Sequence, residues 1–152
     1  MPEKKQVYGA CLCGTLRFSI ELPTLFCVHC HCTMCQRSHG AGYVTWFAVP
    51  LQRFRIEAGA EQMRRYDSSD HGTRSFCGRC GSSLFCESDH QPGHIDIVLA
   101  NMEAPIDRLP ESHTWFDHRA AWVVTRDDLP RRGGESGLEP LAVPTSAEAA
   151  VS

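Results

Sequence analysis

The sequence predicts a mainly β domain with antiparallel strands, stapled by a four-cysteine zinc site. Three observations lead there. Short apolar–polar alternations recur between turns rich in glycine and proline, the pattern of half-buried strands. No convincing long helix interrupts them. Nine cysteines are present, several of them closely paired, and such spacing is that of metal ligands.

The bulk properties set the frame. At 152 residues the chain is long enough to bury a real core as one domain. Its composition, 42% apolar and 22% charged with a net charge of −3, is ordinary for a globular protein and does not suggest a polyanion binder. The arginine doublets Arg64-Arg65 and Arg131-Arg132 are isolated and read as solvated surface. No apolar run approaches the ~20 residues of a membrane helix, and the opening Met-Pro-Glu-Lys-Lys-Gln lacks the apolar core of a signal peptide. The expected location is therefore the cytoplasm, where disulfides are rare.

Taken in order, residues 1–8 are polar and read as a loose end or edge. Residues 15–22 alternate Leu16, Phe18 and Ile20 with polar neighbours and read as a strand ended by Pro23. Residues 36–42 suit a short helical turn or loop closed by Gly40 and Gly42. Residues 43–49 are apolar almost throughout, as in a strand buried on both faces. Short strands are expected over 54–56, 62–66, 74–76 and 82–87, and Ile95, Ile97 and Leu99 mark another. The prolines at 105 and 110 allow at most a helical turn between them. Strands over 113–116 and 122–125 complete a domain at residues 1–130. From there glycine, proline, serine, alanine and glutamate dominate, so 131–152 reads as a low-complexity tail.

The cysteines fall into sets. Cys77-x-x-Cys80-Gly81 has the form of a zinc knuckle, and Cys11-x-Cys13-Gly14 is a matching pair. Together they would close a structural four-thiolate site with no vacant position. Between them, Cys27-Val28-His29-Cys30-His31-Cys32-Thr33-Met34-Cys35 packs four cysteines and two histidines into nine residues. Cys30, Cys32 and Cys35 supply three thiolates, the pattern of a catalytic zinc with an open fourth position. Cys27 or a histidine could instead fill that position and close the site. His29 and His31 alternate with the cysteines and suit groups beside the metal or on the surface. Cys86 reads as a packed core thiol.

Three thiolates weaken zinc as a Lewis acid toward water, so hydrolysis is not the natural chemistry. Such a site can take an incoming thiol, lower its pKa and hold it as a thiolate. Arg37, Arg74, His31 and His39 are candidate cations for a thiol that also carries carboxylates.

The three motifs Cys11-x-Cys13-Gly14, Cys30-His31-Cys32-x-x-Cys35 and Phe76-Cys77-x-x-Cys80-Gly81, in that order, resemble the glutathione-dependent formaldehyde-activating (GFA) domain family, which includes centromere protein V. Gly40-Ala41-Gly42, Tyr66-Asp67-Ser68-Ser69 and His113-x-Trp115-x-x-x-Arg119-Ala120-Ala121-Trp122 add to the resemblance, which spans roughly residues 7–125. The chain departs from the family at Ala100-Asn101-Met102-Glu103 and at Ala121, where Gly-Thr-Leu-Asp and proline are usual.

The resemblance implies a β-tent fold, related to methionine-R-sulfoxide reductases and small Rab-exchange zinc proteins. It implies a structural zinc on Cys11, Cys13, Cys77 and Cys80 and a catalytic zinc on Cys30, Cys32 and Cys35, the latter able to be partly empty. The implied activity is a carbon–sulfur lyase one, making or cleaving S-(hydroxymethyl)glutathione from glutathione and formaldehyde. The alternative is a non-catalytic zinc module for thiol binding or protein interaction. Methionine sulfoxide reduction is a weaker reading, since it needs no three-cysteine metal cluster. Expected partners are a small thiol and a small aldehyde, with neither nucleic acid nor membrane. The sequence does not set the oligomeric state, and a homodimer is one option.

Overall fold

The structure, a computed structural model, describes residues 5–142. In chain order its elements are β1 Gln6–Ala10, β2 Arg17–Glu21, β3 Phe26–Cys30, α1 Thr33–His39, β4 Val44–Pro50, β5 Phe54–Ala58, β6 Met63–Asp67, β7 Gly72–Cys77, β8 Ser83–Ser88, β9 His94–Val98, β10 Ser112–Thr114, β11 Arg132–Gly133 and β12 Glu139–Pro140. The protein is mainly β, and α1 is the only α-helix among the described residues. None of them forms a helix long and apolar enough to cross a membrane.

Two compact units divide the chain. The first holds residues 5–27 and Trp46–Leu109, the second Val28–Thr45 and residues 110–142. In the first, β1, β2 and β5 form a three-stranded antiparallel sheet with β2 at its centre. That position explains why β2 departs from simple alternation: Phe18, Ser19 and Ile20 are all buried. Ser19 is satisfied there by donating to the Glu57 carboxylate at 2.6 Å and accepting from Gln6 at 3.0 Å. The antiparallel run β4-β9-β8-β7-β6 forms the other sheet of this unit.

The core of the first unit gathers Val7, Leu16, Phe18, Ile20, Phe47, Val49, Leu84, Phe85, Ile95 and Ile97, with Cys11, Cys27 and Cys77 among them. Its aromatic centre is an edge-to-face stack, with Phe85 meeting Phe18 and Phe54 at 4.9 Å each. Gly9 pairs with Phe18 across β1 and β2, and a Cβ there would lie 2.3 Å from the Phe18 ring. Only glycine lets the ring lie over the strand.

In the second unit β3 and β10 pair in parallel, with Val28 opposite Ser112, His29 opposite His113 and Cys30 opposite Thr114. The strands are therefore not all antiparallel. Helix α1 follows, ended by Gly40 in the left-handed conformation. Residues 122–125 form no strand. Trp122 is 72% exposed and Val124 57%, and a turn closed from Val123 N–H to Ala120 C=O takes their place. Residues 104–110 likewise hold no helical turn; a 3-10 turn lies earlier, at Leu99–Asn101. Of the segment 131–152, residues 131–142 carry the β11–β12 hairpin, and the remainder lies outside the described residues. Arg131 is not solvated surface: it is 7% exposed, ion-paired with Asp127 at 2.9 Å and stacked over Phe116.

Replacing Phe18 with alanine should cost about 3–5 kcal/mol, the usual range for a fully buried phenylalanine. Urea denaturation followed by tryptophan fluorescence measures it. A variant as stable as the parent would contradict the placement of this ring at the core.

Candidate metal centres

The first centre is built where two strands end. Cys11 and Cys13 follow β1, and Cys77 closes β7 with Cys80 in the turn behind it. Both turns are closed by the amide of a glycine that follows the second cysteine. Gly14 N–H donates to Cys11 C=O at 3.0 Å, and Gly81 N–H donates to Cys77 C=O at 2.8 Å. Gly14 and Gly81 adopt φ of 77° and 78°, a conformation open to glycine at little cost. The turns are tied together by Leu12 N–H donating to the Ser82 hydroxyl at 2.9 Å and Arg79 donating to the Thr15 hydroxyl at 2.8 Å.

The four thiols converge, with ligand atoms all within 4.8 Å of one another. Cys11 and Cys13 sulfurs are 3.6 Å apart, and those of Cys13 and Cys77 are 3.9 Å apart. Zn–S bonds of ~2.3 Å in a tetrahedron put neighbouring sulfurs about 3.8 Å apart. A disulfide needs about 2.05 Å, so the spacing fits a shared metal and not a bridge. The thiols are not equivalent. Burial pushes Cys11 up to about 11 against the pull of the Leu16 amide. Hydrogen bonds from the Ser82 hydroxyl and amide lower Cys80 to about 5. The four thiols thus divide into ones that ionise readily and others that hold their protons.

The second centre sits at the junction of β3 and α1. Cys30 ends the strand, Cys32 caps the helix, and Cys35 lies in its first turn. These three sulfurs also fall within 4.8 Å of one another, with Cys30 and Cys35 at 3.6 Å. Cys35 N–H donates to the Cys32 sulfur at 3.3 Å. Neighbouring thiols, chiefly Cys32 and then Cys35, push Cys30 well above its ordinary value, with burial adding to them. Among the described residues no fourth His, Cys, Asp or Glu joins this group. Cys27, the alternative fourth ligand, lies three residues before Cys30 on the same strand. Side chains alternate along a strand, so the two point to opposite faces, and Cys27 is buried in the apolar core of the first unit.

The residue between two of these cysteines is held through its backbone and through ring Nε2. His31 donates its backbone N–H to Thr114 C=O at 2.9 Å and accepts from the Gln36 side chain at 2.7 Å. Its ring Nε2 meets His113 Nδ1 at 2.8 Å, and His113 Nε2 meets the Asp127 carboxylate at 3.0 Å. The carboxylate only accepts, so His113 donates from Nε2 and accepts at Nδ1, and His31 donates from Nε2. Burial first, then the charge of His113, lowers His31 to about 4. His31 is therefore a neutral packing group and not the cation considered from sequence. Arg37 is exposed on α1 and His39 half-buried at its end, while Arg74 lies in the first unit with its guanidinium over Trp46. Sequence reading found His113 only as a landmark and missed Asp127 altogether, because residues fourteen positions apart carry no pairing signal.

A mainly β chain that gathers seven of its thiols into a four-cysteine and a three-cysteine group has two sites able to hold metal ions. A family model described as glutathione-dependent formaldehyde-activating enzyme matches residues 6–118. The chain belongs to that family. A Halomonas elongata protein bearing the same family name is 26% identical over 125 residues, covering 76% of this chain and 78% of its own. A Schizosaccharomyces pombe protein named an uncharacterized lyase is 32% identical over 92 residues, covering 56% of this chain and 58% of its own. A Rhodobacter sphaeroides protein of known crystal structure has a similar fold, with TM-score 0.56, 24% identity, and coverage of 66% of this chain and 91% of its own.

Loading a metal at either group must displace protons from thiols, so affinity should fall about tenfold for each unit by which pH is lowered, per proton released. Chelator competition across pH 6–8, with protons counted in weak buffer, measures the slope; a flat profile would exclude thiolate ligation. Cys77→Ser should lose one metal per chain and unfold the first unit, since binding energy at such a site is folding energy.

Proposed function

We propose that the protein is a zinc-dependent carbon–sulfur lyase acting on a thiol–aldehyde adduct such as S-(hydroxymethyl)glutathione. The observation that carries this reading is the three-sulfur group of Cys30, Cys32 and Cys35, in which no fourth protein ligand takes part among the described residues. Four-cysteine sites close around their metal, whereas three protein ligands leave a position for substrate. Cys11, Cys13, Cys77 and Cys80 are assigned a structural zinc, giving two ions per chain. Membership of the family supports glutathione and formaldehyde as the reactants, and nine thiols suit a reducing compartment, the cytoplasm.

Cys30, Cys32 and Cys35 would hold the zinc, which would supply a Lewis acid that favours the thiolate form of an incoming thiol. The chain's own residues fix the geometry around those sulfurs. His31 anchors the link between Cys30 and Cys32 through Thr114, Gln36 and His113. The Cys35 amide steadies the Cys32 sulfur as a hydrogen bond to the charged form does. Forming the adduct makes one carbon–sulfur bond as the aldehyde's carbonyl π bond breaks, and the proton lost from the thiol is balanced by the one gained at the new hydroxyl oxygen. Cleavage reverses both changes.

The test compares adduct formation and breakdown with the spontaneous rate, in the parent and in Cys32→Ser. The parent should exceed the spontaneous rate, and the folded variant should fall back to it. Glutathione should also protect the second metal of the parent from chelation. Protection without acceleration would favour a thiol-binding module, and neither effect would remove glutathione as the ligand.

A further inference from the structure

We infer that the protein carries a third metal site, distinct from both cysteine groups, formed by His71, Asp89 and His90 and suited to a divalent transition-metal ion such as Zn²⁺. The three come from two turns at one end of the first unit's sheet. His71 lies between β6 and β7, and Asp89 and His90 lie between β8 and β9. The pairing of β7 with β8, Gly72 opposite Ser88, sets these turns side by side. A backbone hydrogen bond from Asp89 N–H to His71 C=O, 3.0 Å, ties one to the other. Each turn is fixed internally as well, His71 N–H donating to the Ser69 hydroxyl and His90 N–H to the Ser88 hydroxyl, both at 3.2 Å.

The ligand geometry follows from that framework. His71 Nδ1 and Asp89 Oδ1 are 3.0 Å apart, and the ligand atoms of all three residues lie within 4.8 Å of one another. Metal–ligand bonds of about 2.0–2.2 Å place neighbouring ligand atoms about 3.3–3.6 Å apart in a tetrahedron, so the 3.0 Å pair need open by only a few tenths of an ångström. The side chains are exposed, so a small rotation of His90, whose ring lies 4.2 Å from that of His71, completes the set without disturbing the core. Two imidazoles with a carboxylate select zinc, copper or nickel over magnesium or calcium, which prefer all-oxygen sites.

The surroundings favour a cation. A cleft of about 550 Å³ beside these turns is lined by Asp67, Asp70 and Glu87 as well as His71 and Asp89. Such a run of carboxylates raises the local concentration of positive ions and repels anions. The site is far from the four-cysteine group, which sits at the opposite end of β7, roughly 20 Å away at 3.3 Å per residue. Exposure leaves other coordination positions to water, so the ion would exchange readily and clamp the two turns while bound.

The test uses the full chain with both cysteine groups loaded with zinc, dialysed against increasing Zn²⁺ in a non-thiol reductant. One further ion per chain should bind, and amide hydrogen exchange over residues 68–72 and 88–91 should slow with it. A double variant, His71→Asn with His90→Asn, should lose that ion by tenfold or more in affinity while keeping its cysteine-bound metals. His90→Gln alone, which removes no hydrogen bond of the turns, should weaken binding in the same direction if the double variant is poorly folded. Undiminished uptake in the variants, or no further ion up to millimolar free Zn²⁺, overturns the assignment.

Discussion

The structure depends on crowding sulfur atoms to a separation that thiols do not seek by themselves. At 3.6–3.9 Å the sulfurs stand too far apart to be bridged and close enough to shift one another's proton affinity, upward at Cys30. The backbone turns hold them there. In the first unit this brings the loop after β1 against the turn after β7, and with it the three-stranded sheet against the larger one. The hydrophobic core reinforces the arrangement, since Cys11 and Cys77 belong to it. A metal held by these thiols would stabilise the same contact as the core does.

The second unit reaches a similar spacing by other means. Its three sulfurs come from one short stretch, so no long-range closure is needed. What must be fixed is local direction, and His31 fixes it. Its backbone is bonded to β10 and α1, and its ring rests on His113, which Asp127 and Arg131 hold in turn. Low charge on His31 belongs to this role, because a protonated ring there would face burial and the nearby arginines. The group that sequence suggested as a substrate cation is instead part of the frame.

Much of this was legible in the chain. The period-two runs around Phe18, Ile95 and Ile97 marked β2 and β9, and the apolar run from Tyr43 marked β4. Repetition of a cysteine pair followed by glycine identified both halves of the four-sulfur group, because the turn itself demands those residues. Three features were not legible. The parallel pairing of β3 with β10 joins segments with no shared local pattern. Trp122–Thr125 looks like a strand by residue type, yet among the described residues it pairs with no strand and Trp122 faces solvent. Asp127 and Arg131 lie in a stretch whose composition suggests a linker, and only the buried His113 reveals what they serve.

Strand β3 carries a thiol on each of its faces, Cys27 toward an apolar core and Cys30 toward its two sulfur neighbours. Ligand choice here is thus a matter of odd and even spacing rather than of residue identity. A single-residue insertion between them would bring both onto one side, removing a packed core group and adding a competing donor in the same event. The nine-residue stretch can tolerate changes of side chain at Val28 or His29 far more readily than any change in its length. Its count, more than its content, is what divides a packing cysteine from one that joins the three-sulfur group.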